Sequence, residues 1–323
     1  MKVAIAILNW NGAEWLRKFL PSVVTHSSDA DIYVIDNASS DNSIAFVTEN
    51  FPEVKLVRND KNYGFAGGYN VGLKQIDADI YCLLNSDVEV TPGWIQPVVN
   101  VFIKHPEAAA VQPKILSWAD RTKFEFAGAA GGLIDNLAYP YCRGRIFDEV
   151  ETDNGQYDDE VEIFWASGCC LFIRAKDFHD AGGFDERFFA HQEEIDLCWR
   201  LINLDRKIRY THRSVVYHVG GGTLNKQSPQ KTFLNFRNNL SMMLKNMELP
   251  RAYPTIFLRL TLDGIAGVRF LFTDGFAHTW AIVRAHFAFY GEARETLRRR
   301  GKHQLRHFYQ TKWLVFRHFI GKK

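Results

Sequence analysis

The chain has 323 residues, 46% of them hydrophobic and 24% charged, with 39 Lys and Arg against 37 Asp and Glu. That balance excludes an intrinsically disordered chain, and the length suffices to bury a full core without disulfide or metal staples. The five cysteines (Cys82, Cys142, Cys169, Cys170, Cys198) are scattered, odd in number and form no CxxC pair; this excludes a zinc ribbon and a secreted disulfide framework and fits a reducing cytosol.

Residues 3–8 form an apolar run too short for a signal segment, so a strand is expected there and no export. Helical patterns and short apolar runs then alternate: helix 14–24, strand 32–35, helix 41–48, strand 54–57, helix 66–76, strand 80–84. Runs apolar on both faces, as in Val3-Ala4-Ile5-Ala6-Ile7-Leu8, are what a parallel sheet covered by helices requires, which predicts a doubly wound α/β core. Past Val111 the pattern loosens into a Gly-rich aromatic segment, 126–141, and an acidic segment, 148–162, that reads as a mobile insertion or lid. A strand at 164–173, a helix at 175–181 and a helix at 193–204 follow, the last with Ile195, Cys198, Trp199 and Ile202 on one face. Strands 208–211 and 214–218 come next, and 230–247 and 254–323 read as helical.

Ligands of such sheets sit at the carboxyl ends of the strands. Four places there carry polar groups. Asn85-Ser86-Asp87 puts a carboxylate at a strand exit, where it either begins a turn or offers an oxygen ligand to a hard divalent ion. Asp36 and Asn37 end another strand and are placed to hydrogen-bond a base or ribose, with Ser39 or Asp41 available as a helix N-cap. Glu193, Glu194 and Asp196 fall in the first turn of a helix, where the macrodipole favours acids. Periodicity puts Glu193 and Asp196 on one face and Glu194 about 100° away, so one can anchor while another acts as a general base. His218 ends a strand before a three-glycine loop, a position that suits a metal ligand beside a phosphate. Neither this loop nor Gly64-Phe65-Ala66-Gly67-Gly68 has the GxGxxG or Walker A spacing, which disfavours a nicotinamide-dependent oxidoreductase.

Taken together, Ile7-Leu8-Asn9-Trp10-Asn11-Gly12, Val34-Ile35-Asp36-Asn37-Ala38-Ser39, Asn62-Tyr63-Gly64-Phe65-Ala66-Gly67-Gly68-Tyr69-Asn70 and Leu83-Leu84-Asn85-Ser86-Asp87 resemble family 2 glycosyltransferases of the GT-A fold, in the rhamnosyltransferase-like subgroup. The resemblance continues through Gly182-Gly183-Phe184-Asp185-Glu186, Glu193-Glu194-Ile195-Asp196-Leu197-Cys198-Trp199-Arg200 and His218, and spans residues 1–245. It implies a Rossmann-like mixed sheet flanked by helices, with a C-terminal helical extension. It also implies that Asp36 and Asn37 bind base and ribose with the backbone near Leu8 and Asn9, and that Asn62, Gly64 and Asn70 line the nucleotide pocket. Asn85-Ser86-Asp87 stands where the family carries its DxD-type motif, so that Asp87 and His218 would hold Mg²⁺ or Mn²⁺ on the donor diphosphate. Glu194 occupies the place of the family's catalytic Asp. Two departures are visible: Asn85 replaces an acid, and Glu194 is one methylene longer than Asp, which leaves the choice of base open between Glu193 and Glu194. Arg237 either adds positive charge beside the phosphates or forms a salt bridge on a solvated face.

The implied activity is inverting transfer of a sugar from a nucleotide-diphosphate sugar (UDP- or dTDP-linked, rhamnose among the candidates) to a glycan or polyprenyl-diphosphate-linked acceptor, in cell-surface polysaccharide synthesis. The rival is a catalytically silent nucleotide-sugar or membrane-binding scaffold. Trp165, Trp199 and segment 148–162 are the acceptor-side candidates. The expected division is a catalytic domain at 1–250 and a basic amphipathic extension at 251–323. That extension holds 14 Lys and Arg against 4 Asp and Glu, whereas residues 1–250 hold 25 against 33. Such a tail calls for an anionic partner, read as the inner face of the cell membrane, with the protein cytoplasmic and peripheral. The body shows no nucleic-acid-binding signature.

Overall fold

The structure, a computed structural model, describes residues 1–220 and 228–319, so residues 221–223 of the glycine loop after His218 lie outside the described residues. The N-terminal series forms as the sequence predicts: β1 (Val3–Asn9), α1 (Ala13–His26), β2 (Asp31–Asp36), α2 (Ser43–Asn50), β3 (Lys55–Arg58), α3 (Gly64–Gly72) and β4 (Ile80–Asn85). β1 pairs in parallel with β2 and β4, and β2 with β3. Alternate side chains of β1 enter two cores: Ala4 and Ala6 face a cluster shared with α3 and later helices, and Val3, Ile5 and Ile7 face one shared with α1. Double-sided burial is thus the reason for the continuous apolar run.

The chain continues through β5 (Val88–Val90), α4 (Ile95–Lys104) and β6 (Ala108–Ser117). The glycine-rich stretch then folds into a small antiparallel sheet of β7 (Gly132–Ile134), β8 (Pro140–Cys142), β9 (Arg145–Ile146) and β10 (Glu149–Val150). Next come β11 (Glu160–Ile163), β12 (Cys170–Arg174), α5 (Ala175–Asp180), α6 (Glu193–Asn203) and β13 (Lys207–His218). Among the described residues the main sheet has nine strands, in the order β11-β13-β6-β12-β4-β1-β2-β3 with β5 on β13. It is mixed, because β12 runs antiparallel between β4 and β6.

Three expectations change in the body, and a fourth in the tail, where the helix expected over 254–323 breaks at 274–275 and is not helical over 299–313, residues 320–323 lying outside the described residues. The strand expected at 164–173 is shorter: residues 164–169 leave the sheet, and only Cys170–Arg174 pairs. The two strands expected at 208–218 are one, β13, with a register shift between Thr211 and Val215. Segment 148–162 is not a free lid. The nearly buried Lys114 ammonium binds Asp153 at 2.7 Å and Asp158 at 2.5 Å, and Arg143 binds Asp159 at 2.6 Å.

Helices α7 (Pro229–Asn246), α8 (Leu249–Thr273) and α9 (Phe276–Arg298) form a layer on one face of the sheet, followed by irregular chain and α10 (Leu314–Phe319). The layer straddles residue 250, and the tail enters the same core as the body. The Phe308 ring lies 4.5 Å from Trp199 and 6.3 Å from Phe164, and Leu314 N–H donates to the buried Asp135 before β8. No helix among the described residues is long and apolar enough to cross a membrane.

Candidate active site

Parallel register places strand exits side by side, Asn9 beside Asp36 and Leu8 beside Asn85, and the antiparallel pairing of β13 with β5 sets His218 opposite Val88, next to Asp87. Asp87 and His218, 131 residues apart in the sequence, therefore meet at the sheet edge. The imidazole Nε2 lies 3.2 Å from Asp87 Oδ1 and 3.5 Å from the Asn85 amide. On its other side Nδ1 faces the buried carboxylate of Glu125 at 3.5 Å. Burial pulls the His218 imidazolium down, but the Cys169 thiol, Glu125 and Asp87 outweigh burial and hold it well above the usual histidine range.

This pocket favours positive charge, and its donor set fits a divalent cation. Ligand atoms in cis positions around an octahedral ion with bonds of about 2.1 Å are about 3 Å apart, close to the Asp87–His218 separation. Among the described residues no group of three or more His, Cys, Asp and Glu is arranged to hold an ion by itself. Asp87 and His218 would supply two ligands to such an ion, with phosphate and water supplying the others, as is usual for Mg²⁺ at a diphosphate.

Asp87 and His218 form one wall of a cavity of about 340 Å³; Glu193 and Glu194 at the start of α6 form another, and Phe65, Phe126, Pro140 and Trp165 complete an apolar side. Glu193 is buried and Glu194 half-buried. Glu194 is pushed up to about 7 by burial, opposed by N–H groups of its own helix terminus. Burial and the neighbouring Glu194 carboxylate push Glu193 well above the carboxylate range. Both carboxyls are thus held above their ordinary values, and as neighbouring acids they titrate as a pair. One oxygen of each, Glu193 Oε2 and Glu194 Oε2, has no protein partner.

The segment that delivers these acids is strained. Phe189, His191 and Gln192 have φ of 61°, 70° and 71°, a region non-glycine residues seldom adopt. The buried Asn238 of α7 holds it. Its amide nitrogen lies 3.1, 3.0 and 2.7 Å from the carbonyls of Phe188, Ala190 and His191. The Phe189 carbonyl in turn accepts the N–H of Phe65 at the start of α3. Gly64 is required at this contact, because it has φ of 71° and any Cβ there would lie 2.7 Å from the Phe189 ring.

The remaining expected site residues divide. Asp36 is buried at the end of β2 and accepts only long bonds, 3.3 Å from Ser39 N–H and 3.5 Å from the Asn9 amide, so its carboxylate keeps capacity for a ligand. Asn9 donates to Ser43 and Ser39 while its Oδ1 has no partner. Leu8 packs against Gly68, and Ser86 is half-buried beside Gly12. Asn37, by contrast, is committed internally: it donates to Asn62 Oδ1 and the Gly64 carbonyl and accepts from Asn59 and Tyr63. Asn62 is occupied by Asn37 and by the N–H of Gly64. Asn70 clamps both backbone groups of Phe184.

Arg237 donates to the Arg187 carbonyl at 2.7 Å and pairs with Glu292 at 3.6 Å. Asp196 points away from the cavity into a buried ion cluster, 2.9 Å from Lys245 and 2.8 Å from Arg200. Burial opposes its ionisation, but these two cations outweigh it and hold the carboxyl below its usual range. Trp165 lines the cavity, whereas Trp199 is fully buried in the core and segment 148–162 does not reach the cavity wall. Glu125 and Asn238 were not singled out from sequence. An isolated Glu in a Gly-rich stretch and an Asn in a helix carry no pattern that spacing can read.

A family model for glycosyl transferase family 2 matches residues 4–178. The N-acetylglucosaminyl-diphospho-decaprenol L-rhamnosyltransferase of Mycobacterium tuberculosis is 25% identical over 213 residues, 61% of this chain and 69% of that protein. The low-salt glycan biosynthesis hexosyltransferase Agl10 of Haloferax volcanii is 22% identical over 84% of this chain and 85% of its own length. Among solved structures, GalNAc-T7 with UDP, GalNAc and Mn²⁺ superposes with a TM-score of 0.60 at 15% identity, over 77% of this chain and about half, 48%, of that one. Staphylococcus aureus TarS with UDP-GlcNAc gives 0.55 at 14% identity, over 91% and 81%. The fold is therefore that of the GT-A glycosyltransferases, and the chain belongs to glycosyl transferase family 2.

Proposed function

We propose that this chain is an inverting, metal-dependent glycosyltransferase that moves a sugar from a UDP- or dTDP-sugar, rhamnose among the candidates, to a hydroxyl of a glycan precursor carried on a polyprenyl diphosphate. The observation that carries the reading is the single cavity joining Asp87 and His218 to Glu193 and Glu194. Asp36, with Asn9 and the backbone of Leu8, receives the ribose and base. Asp87 and His218 would hold Mg²⁺ or Mn²⁺, which when bound neutralises charge developing on the leaving diphosphate. Support for the cation comes from its pairing with UDP in the GalNAc-T7 structure.

Glu194 takes the proton from the acceptor hydroxyl as that oxygen attacks the anomeric carbon from the face opposite the nucleotide. A base with a pKa of about 7 is matched to that work. Glu193 keeps its proton and serves as a hydrogen-bond donor. Trp165, Phe126 and Pro140 supply an apolar wall for a sugar ring. A lipid-linked acceptor lies at a membrane, and the basic tail is the proposed attachment to its anionic cytoplasmic face.

The test is a panel of UDP-, dTDP- and GDP-sugars with Mn²⁺ or Mg²⁺, read as nucleoside-diphosphate release and thermal stabilisation. One donor should stabilise the protein and be slowly hydrolysed, and Asp87→Ala should abolish both effects. Stabilisation without release in the presence of acceptor lipid would leave a nucleotide-sugar-binding scaffold instead.

A further inference from the structure

Helix α8 is amphipathic in the reverse sense for a protein in water. The residues it turns inward are Ala252, Ile256, Arg259, Asp263 and Gly267, so the charged pair is buried. The outward stripe, at spacings of three and four, is Tyr253, Phe257, Thr261, Ile265, Val268 and Phe272, with Phe257 74% and Phe272 83% exposed. At 1.5 Å per residue this stripe is about 30 Å long. Exposed Phe276, Trp280, Phe287 and Tyr290 continue the apolar surface on α9. An apolar surface of this extent marks a docking site.

We infer that the outward face of the α8–α9 hairpin is seated in the interface of an anionic bilayer, with α8 lying in the membrane plane. This rests on the reading that the acceptor is lipid-linked, and names the surface that meets the lipid. Charge selects the occupant. The segment from residue 251 onward carries 14 cationic against 4 anionic side chains, and the outward stripe of α8 contains no acid. A second copy would set like charge against like; anionic headgroups complement it. Arg269, Arg284 and Arg294 are exposed on the same two helices and supply the cations.

The buried pair gives the docking a consequence for the site. Arg259 donates to the Leu137 carbonyl at 2.7 Å and its guanidinium lies 3.6 Å over the Tyr139 ring, next to Pro140 on the cavity wall. Asp263 lies 3.8 Å from Arg259 and 3.4 Å from His286 of α9. The helix in the lipid is thus tied directly to the rim where an acceptor enters.

The experiment is flotation of the full chain, without donor or metal, on phosphatidylcholine vesicles with and without phosphatidylglycerol. The protein should float with the anionic vesicles only, and the double variant Phe257→Glu/Phe272→Glu should lose about ten-fold or more of that partitioning with an unchanged melting temperature. The same variant should turn over a lipid-linked acceptor poorly while hydrolysing donor at the wild-type rate. Wild-type protein that stays unbound to every vesicle overturns the inference. So does a concentration-dependent dimer that the double variant dissociates, because the face would then belong to a second copy. Flotation by a protein that binds no member of the donor panel leaves the docking surface standing and removes the transferase reading, so the two fail separately.

Discussion

The two chemical walls of the cavity are made of unlike material. Asp87 and His218 stand at the ends of paired strands, where the ladder of β5 on β13 fixes their approach. Glu193 and Glu194 stand at the end of a strained segment with three left-handed non-glycine residues, held by the side chain of Asn238. Sheet pairing positions the cation wall through backbone bonds that no side-chain substitution removes. The acid wall depends on a few replaceable side chains. Substitutions at the two walls should therefore separate metal affinity from turnover.

The largest effect is expected at Glu194, the proposed base. Glu194→Gln should lower kcat by about 10²–10⁴-fold while leaving donor and Mn²⁺ affinity unchanged. If Glu193→Gln is the more damaging of the two, the roles within the pair are reversed. Asn238→Ala comes next. It removes the donor shared by three carbonyls, and a shift of about 1 Å in the acids can cost as much as 10²-fold. Its signature is a fall in kcat and a displaced acid limb of the pH profile, with Mn²⁺ affinity retained. A loss of Mn²⁺ affinity in this variant would erase the distinction between the walls.

Glu125→Gln tests the opposite wall. A carboxylate behind a ligating histidine orients the ring and raises its basicity, and replacing such a partner commonly costs about 10–100-fold in metal affinity. Mn²⁺ binding measured by electron paramagnetic resonance should weaken by that order, with the pH profile of kcat unmoved. Unchanged Mn²⁺ binding would mean that the 3.5 Å contact only fills space.

How legible each wall was follows from the same difference. The strand-end residues were readable because an apolar run ending in Asn85-Ser86-Asp87 or His218 announces both the strand and the polar exit. Glu193 and Glu194 were readable as a helix start. Their grouping was not: periodicity joined Asp196 to Glu193, but Lys245 and Arg200, distant in sequence or a turn away, draw Asp196 into a buried cluster. The internal bonds of Asn37, Asn70 and Arg237 were not legible for a related reason. Each satisfies backbone or amide groups of a loop remote in sequence, and such closure is a tertiary property. Helix α8 was legible as amphipathic, but not which face points inward, because that depends on Leu137 and Tyr139 receiving Arg259.

The smallest effect expected is on stability, where buried acids of opposite kind oppose each other. Glu194 has its carboxyl raised from 4.5 to about 7 by burial, so the folded state holds that proton more tightly than the unfolded chain. Its contribution is fully present below about 4.5 and is lost as pH rises through about 7. For Asp185, burial opposes ionisation, but Arg187 and Lys245 outweigh it and hold the carboxyl well below its usual range. Its contribution is present above the ordinary value of 3.8 and is lost as pH falls below it. Glu194→Gln should therefore melt higher than wild type at pH 8 and converge with it at pH 5, while Asp185→Asn should melt lower than wild type at pH 8. A Gln variant with no gain at pH 8 would mean that Glu194 is solvated when ionised, and the acid wall would then lack the desolvation that makes its carboxylate a base near neutrality.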